Sequence, residues 1–355
     1  MREFWNGKKV LITGHTGFKG SWLSFWLKML GAEVCGYSLA PEAQPNLFEN
    51  LKLDGEIKSI IGDIRNLSDF EKSVQDFQPE IIFHLAAQSL VRRSYRQPVE
   101  TYTTNVIGTI NILEAARKAN SVKSIVIVTT DKVYENKEWR WAYRENERLG
   151  GFDPYSNSKA CAELAVSAYR NSFFSESETL IATVRAGNVI GGGDWSEDRL
   201  LPDIFRSLIF GGKLEIRNPA SIRPWQHALE PLDGYLKLAE KLYRGEKNFA
   251  EAWNFGSSEE DSKSVGWILE KIKEIWDEPV NWELAKGVQP HEAKLLKLDS
   301  TKAKNELGWL PKLSLDEAVN LTAKWYRGFK DKKDLIELTE AQINFYQNKN
   351  ADRTV

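Results

Sequence analysis

The apolar run Val10-Leu11-Ile12-Thr13 breaks into Gly14-His15-Thr16-Gly17-Phe18-Lys19-Gly20, and a helical pattern takes over from Ser21. A buried strand that turns through spaced glycines into a helix leaves few architectures open, because the chain must cross back over the sheet. Trp22 with Trp26, Leu23 with Leu27, and Trp26 with Leu30 give the i, i+4 spacing of one buried helix face. Strands are then expected at Glu33 to Tyr37, Ser59 to Gly62, Ile81 to Leu85, Ser124 to Thr129 and Leu180 to Arg185. Helices are expected between them at Ser68 to Phe77, Thr101 to Lys118 and Ser156 to Arg170. Strands that are apolar on both faces and alternate with helices require a parallel sheet covered on each side.

The expected class is α/β, a Rossmann-type doubly wound parallel sheet with a smaller mixed α/β C-terminal substrate lobe. After Gly187 the texture changes, with a loop at Gly191-Gly192-Gly193-Asp194-Trp195 and shorter elements beyond it. Trp253-Asn254-Phe255-Gly256 reads as a late strand, and Ser264 to Trp276 and Ser314 to Lys330 read as helices. A terminal helix is expected after Asp331, where Leu335, Leu338, Ile343 and Phe345 need cover. The expected division is 1–187 for a dinucleotide-binding domain that also receives part of 224–255, and 188–355 for most of the substrate lobe.

At 355 residues, the chain is long enough for two domains, or one with a lobe. A net charge of -2 offers no basic field to nucleic acid or an anionic membrane. The start, Met1-Arg2-Glu3-Phe4-Trp5, is expected to lead straight into a strand without a signal peptide. No apolar run nears the ~20 residues that span a bilayer, so a cytoplasmic protein is expected. Cys35 and Cys161 read as reduced structural thiols. His15, His84, His227 and His291 have no metal-ligand spacing, so no metal site is expected.

Gly14, Gly17 and Gly20 have two residues between successive glycines, after a strand and before a helix, the context of a dinucleotide site. Backbone there approaches a pyrophosphate closely, and the helix N-terminus supplies N–H donors and a positive dipole end. The cofactor candidates are therefore Gly14, His15, Gly17, Phe18, Lys19 and Gly20. Asp63, with Ile64 beside it, is placed to accept from an adenine amino group; the plain alternative for Asp63 is a turn cap. Leu85, Ala86 and Ala87 would let a cofactor lie over a strand end, and Asn105 is expected to bond backbone near the active site. Gly36-Tyr37-Ser38-Leu39 has neither a carboxylate for a ribose hydroxyl nor an arginine for a 2'-phosphate, and NAD is favoured over NADP.

Tyr155 lies four residues before Lys159 on an expected helix, so both side chains share a face. Such a pair abstracts a hydroxyl proton while a nicotinamide takes the hydride. Thr130-Asp131-Lys132 adds an acid and a second amine, which alcohol oxidation does not need and elimination of water does. The chain thus reads as an oxidoreductase scaffold doing lyase chemistry.

These segments, with His84-Leu85-Ala86-Ala87-Gln88, Arg185 through Trp195, Arg223-Pro224-Trp225-Gln226-His227 and Leu307-Gly308-Trp309, resemble the extended short-chain dehydrogenase/reductase superfamily. Within it, the likeness is to the CDP-sugar branch of the nucleotide-sugar 4,6-dehydratases. The dTDP-glucose dehydratases are similar but carry glutamate where this chain has Lys132, and nucleotide-sugar epimerases lack the Asp-Lys pair. The resemblance implies NAD as a regenerated cofactor and CDP-glucose as substrate, with C4 oxidation, loss of water across C5–C6 and return of hydride to C6. It implies that Thr130 holds the 4-OH, Tyr155 takes its proton, Asp131 protonates the leaving 6-OH and Lys132 deprotonates C5. Lys159 is expected to bond the nicotinamide ribose and to favour the Tyr155 phenolate, whose ordinary value near 10 must come down towards ~7. Lys132 must likewise fall from about 10.4 towards ~7 to act as a base. Substrate contacts are expected from Gln88, Ser89, Arg93, Asn188, Arg199, Arg223 and His291. The resemblance also implies a homodimer joined by a four-helix bundle, and a product serving deoxysugar and polysaccharide biosynthesis.

Overall fold

The computed structural model describes residues 1–286 and 295–350. Seven strands form one sheet: β1 (Lys9–Thr13), β2 (Glu33–Ser38), β3 (Lys58–Ile61), β4 (Ile81–His84), β5 (Ser124–Val128), β6 (Leu180–Ala186) and β7 (Ala252–Phe255). Their order is β7-β6-β5-β4-β1-β2-β3, and every pairing is parallel. The strand order reverses between β1 and β4, the kind of switch point beyond whose carboxyl strand ends open α/β sheets bind ligands.

The period of two along each strand distributes the core. Val10, Ile12, Ile81, Phe83, Val126 and Val128 face one way, onto α1 (Phe18–Met29) and a helix at Leu229–Tyr243. Leu11, Ile82, Ile125, Ile127 and Ile181 face the other way. There they meet α2 (Leu67–Phe77), α3 (Gly108–Arg117) and α4 (Pro154–Phe173). Both faces of β1, β4, β5 and β6 are covered, as their apolar composition requires, while the edge strand β3 stays partly exposed.

The C-terminal part carries helices α5 (Leu200–Phe210), α6 (Leu229–Tyr243), α7 (Val265–Trp276), α8 (Leu315–Lys330) and α9 (Leu335–Asn348). It also holds two-stranded pairings of Leu214–Ile216 with Trp282–Leu284 and of Ile222–Pro224 with Ser262–Ser264. The late strand at 252–255 does not belong with this part; it completes the large sheet beside β6. Two local expectations change. A one-turn helix, Arg2–Trp5, precedes β1 and buries Trp5. The helix expected over 101–118 runs continuously over 98–117 but takes a π turn at Thr103–Ile107, between Pro98–Tyr102 and α3. Among the described residues no helix is long and apolar enough to cross a membrane.

Glu230 ties the C-terminal helices to α6. Its buried carboxylate accepts Lys312 N (2.8 Å), Leu313 N (2.6 Å) and the Tyr346 hydroxyl (2.9 Å), while Trp309 Nε1 donates to its carbonyl (2.9 Å). Burial raises its carboxyl to about 7, against the pull of these hydrogen bonds. Glu230→Ala leaves buried donors unpaired and is expected to cost about 3 kcal/mol in chemical denaturation. The sign with pH follows from the raised value. Folding favours the protonated acid, so its contribution is complete below about pH 4.5 and lost as pH climbs through about 7. Wild type should therefore lose stability relative to Glu230→Gln across that window.

Candidate active site

Gly14 sits at φ 76°, and a Cβ there would lie 2.7 Å from Ala86 N. A Cβ on Gly20 would lie 2.0 Å from the Gly14 carbonyl oxygen. The turn and the first turn of α1 are thus pressed together in a way only glycine permits. Gly17 is the exposed N-cap of α1 and no side chain caps that end. The unfilled N–H groups and the dipole are left for an anion such as a pyrophosphate. Thr16 closes the turn onto β2, bonding Ser38 Oγ (3.0 Å) and the Leu39 carbonyl (2.9 Å). The geometry fits a dinucleotide.

The remaining cofactor candidates divide. His15 is buried, bonds Ser59 Oγ at 2.8 Å, and is pushed down to about 4 by burial. Its neutral ring packs beneath the turn against Phe48, so its side chain is not offered to a ligand. Phe18 and Lys19 are half-buried. Lys19 falls to about 8 through burial and the nearby Arg199, against Asp131 and Asp194, which places it in the charge field of the catalytic groups. Asp63 caps Arg65 N (2.9 Å) and pairs with its guanidinium, the turn-cap alternative. Ile64 is core, with its carbonyl accepting Asn111 Nδ2 (2.9 Å). Leu85, Ala86 and Ala87 are half-buried just past β4.

Asn105 sits in the π turn, a frequent mark of functional sites. Its amide is consumed by Gln88 N, Gln88 O and Ser158 Oγ, each at 2.9 Å, so it bonds backbone as expected and acts by holding a turn. Gln88 is not turned to a sugar. Its side chain folds back on Leu90 N (2.7 Å), Leu90 O (3.2 Å) and Thr101 Oγ1 (2.9 Å), because a buried amide must satisfy itself locally. Arg93 is likewise engaged, with Glu42 (2.8 Å), Glu100 (3.0 Å) and Gln97 (2.8 Å).

Thr130, Asp131 and Lys132 form the turn just past β5. Thr130 Oγ1 donates to Asp131 Oδ1 (2.9 Å), and Lys132 Nζ lies 3.3 Å from the same oxygen. Tyr155 and Lys159 face this turn from α4. Burial pushes the Tyr155 phenol above its ordinary value, while the Lys132 charge and the Thr130 hydroxyl pull it back. Two expectations change here. The positive charge that chiefly lowers the Tyr155 phenol here is that of Lys132, ahead of Lys159. Lys159 gives Nζ to the Val128 carbonyl (3.0 Å) and falls to about 7 through burial and the repulsion of Lys19. The surroundings of Lys132 favour its charged form rather than the neutral one expected. Burial disfavours its charge, but Asp131 and Tyr155 outweigh burial and raise it above the ordinary lysine value.

Arg199 pairs with Asp194 (3.0 Å) and donates to Ser89 Oγ (3.2 Å), which brings Ser89 and the 191–199 loop together. Arg223 donates to the Ile222 carbonyl (3.1 Å) and repels the Lys132 charge. Asn188 follows β6 at φ 22°. His291 lies outside the described residues. A cleft of about 450 Å³ opens beside Asp131 and Gly187, lined also by Trp141, Gln226, Ser258 and Lys297. Among the described residues no group of three His, Cys, Asp or Glu side chains could hold a metal ion.

Sequence reasoning passed over Glu163. It is buried on α4 and bonds Thr129, Thr183 and Arg185. The signal was present, since a charged residue eight positions past Tyr155 and four past Lys159 shares their face among alanines.

A family profile described as GDP-mannose 4,6 dehydratase matches residues 11–322. The CDP-glucose 4,6-dehydratase of Salmonella typhimurium is 50% identical over 352 residues, covering 98% of each chain. A UDP-glucose 4-epimerase of Rhizobium leguminosarum bv. trifolii is 26% identical, over 90% of this chain and 98% of that protein. The fold matches the solved UDP-glucose 4-epimerase of Thermus thermophilus, a complex with NAD. The TM-score is 0.77 and the identity 23%, over 90% of this chain and 99% of that one.

Gly20→Ala forces the turn away from α1. NAD affinity, read by tryptophan quenching on titration, is expected to fall at least about tenfold, with retention of most of the secondary structure.

Proposed function

The chain belongs to the GDP-mannose 4,6 dehydratase family, and from that membership we propose that it acts as a CDP-glucose 4,6-dehydratase, making CDP-4-keto-6-deoxyglucose. The observation that carries this is the Asp131–Lys132 pair facing Tyr155, in a chain half identical to a CDP-glucose 4,6-dehydratase. It is an NAD-dependent enzyme. NAD+ held by the Gly14–Gly20 turn and the N-terminus of α1 would supply reversible hydride acceptance, between C4 and C6 of the sugar.

The chain's residues supply the proton steps. Tyr155 takes the 4-OH proton while Thr130 holds that oxygen. The resulting ketone acidifies C5–H. Elimination needs a base at C5 and an acid at the 6-OH, and Lys132 Nζ donates to Asp131 Oδ1 at 3.3 Å. Passing the proton of that hydrogen bond from Lys132 to Asp131 turns the resting ion pair into a neutral amine and a carboxylic acid. Lys132 then takes the C5 proton, and Asp131 gives its proton to the departing oxygen as water leaves. The proton on Lys132 returns to C5 as the C6 methyl forms, and the Tyr155 proton resets Asp131. The net loss is one water. The charged resting state of Lys132 is thus part of the cycle.

Ser89, Asn188, Arg199 and Arg223, with residue 291, are proposed around the diphosphate and sugar, and Asp63 near the adenine. Residues 1–187 with part of 224–255 are proposed as the dinucleotide-binding domain. A homodimer is proposed through the 98–117 region and α4, where Val99, Ile107, Leu164 and Phe173 are exposed large apolar side chains. Sedimentation at micromolar concentration should give twice the chain mass; a monomer would remove this interface.

The function is tested with purified protein, NAD+ and CDP-glucose in D2O by proton NMR. A new C6 methyl beside a deuterated C5 is expected. Conversion of GDP-mannose or dTDP-glucose with CDP-glucose untouched would move the substrate assignment. Lys132→Met is expected to lower product formation by at least about a hundredfold while reduction of NAD+ by substrate persists, since only the C5 step loses its base. Unchanged turnover would take Lys132 out of the chemistry.

A further inference from the structure

The two groups of catalytic residues sit on different elements. Tyr155 and Lys159 are on α4, whereas Thr130, Asp131 and Lys132 are on the turn after β5. Both elements are tied to one buried ion pair. Glu163, 4% exposed, lies on α4 in line with Tyr155 and Lys159, and Arg185, 3% exposed, lies near the end of β6. The pair is bidentate, Nε to Oε1 at 2.8 Å and Nη2 to Oε2 at 3.0 Å. Thr129 Oγ1 donates to Glu163 Oε1 (2.6 Å) and Thr183 Oγ1 to Oε2 (2.7 Å). Arg185 Nη1 donates to the Tyr134 hydroxyl (2.7 Å) and the Glu145 carbonyl (3.1 Å), and Tyr134 in turn donates to Asn254 Oδ1 (2.8 Å) on β7.

The consequence is geometric. Thr129 immediately precedes the Thr-Asp-Lys turn and Tyr134 immediately follows Val133, the last residue of that turn. The pair therefore grips the turn at both ends and α4 at its middle. A buried bidentate pair with its spare positions filled is stiff, because any displacement strands a charge away from water.

We propose that the Glu163–Arg185 pair is the positioning device that holds the Tyr155–Lys159 arm in register with the Thr130–Asp131–Lys132 arm, so that oxidation at C4 and elimination across C5–C6 stay coupled. This rests on the dehydratase reading, and wild-type product formation from CDP-glucose is established first, so that a changed variant speaks to the pair alone. Oxidation needs the α4 arm and elimination needs the turn. Slackening the link between them therefore lets the first outrun the second, and reduced cofactor accumulates with the 4-ketone.

The test avoids deleting the ion pair, whose loss threatens folding. Tyr134→Phe removes the hydroxyl that ties Arg185 to the turn, and Thr183→Val removes one of the donors that orient Glu163. Each is expected to lower kcat about tenfold with KM for CDP-glucose unchanged, and to lower the melting temperature by only a few degrees, so that the protein stays folded at the assay temperature. Each should also raise the near-ultraviolet absorbance of reduced nicotinamide during turnover, where wild type builds up little. Thr183→Ser should restore both readouts. Unchanged kcat in both variants overturns the proposal, and so does a fall in kcat without accumulation of reduced cofactor.

Discussion

A parallel sheet is stable only when both of its faces are kept from water, and here everything else follows from that requirement. Seven parallel strands leave their polar ends together at one edge, and every crossover deposits a helix on one face or the other. The carboxyl edge is where chain direction changes and where side chains are free of the ladder. Thr13, Leu85–Ala87, Thr130–Lys132 and Gly187 all lie at or just past strand ends along it. Catalytic groups far apart in sequence meet there because the sheet aligns their strands.

Charge is handled differently at each depth of this edge. At the surface, the exposed ion pairs contribute little. Beneath it, Lys19, Lys159 and Lys132 lie in one electrostatic field, yet only Lys132 has a carboxylate at hydrogen-bond distance. Burial therefore lowers the first two while Asp131 keeps the third charged. Deeper still, Arg185 and the hydroxyls of Thr129 and Thr183 outweigh burial and hold the Glu163 carboxyl below its ordinary value.

The sheet was readable because period and composition agree over β1, β4, β5 and β6, which are apolar on both sides. The glycine turn was readable because its spacing sits between a strand and a helix. The π turn inside the helix over 98–117 was not. A π turn changes the hydrogen-bond partner and leaves the side-chain types unaltered, so no residue between Thr103 and Ile107 announces it. The partners that hold Gln88, Arg93 and Asp63 were hidden for a related reason. Each sits near a strand end, where position alone implies a ligand, and each finds its partner within a few residues or on a neighbouring loop. The balance among the lysines was also hidden, since it depends on distances to Asp131 and to one another. What the sequence did carry was the pairing of Tyr155 with Lys159, fixed by helical geometry, and the adjacency of Asp131 and Lys132, fixed by covalent order.

The position of β7 has a consequence for how this protein comes into being. The strand that closes the sheet beside β6 is Ala252–Phe255, and the helix covering that face is Leu229–Tyr243. On the ribosome, the first two hundred or so residues emerge with the β6 edge bare and one face of the sheet partly uncovered. Thr183 to Ala186 then present unpaired backbone groups and an apolar face, a template for another chain's strand. A nascent fragment that already holds most of its catalytic groups is thus the species most exposed to misassembly, and the segment that protects it arrives only with the C-terminal part.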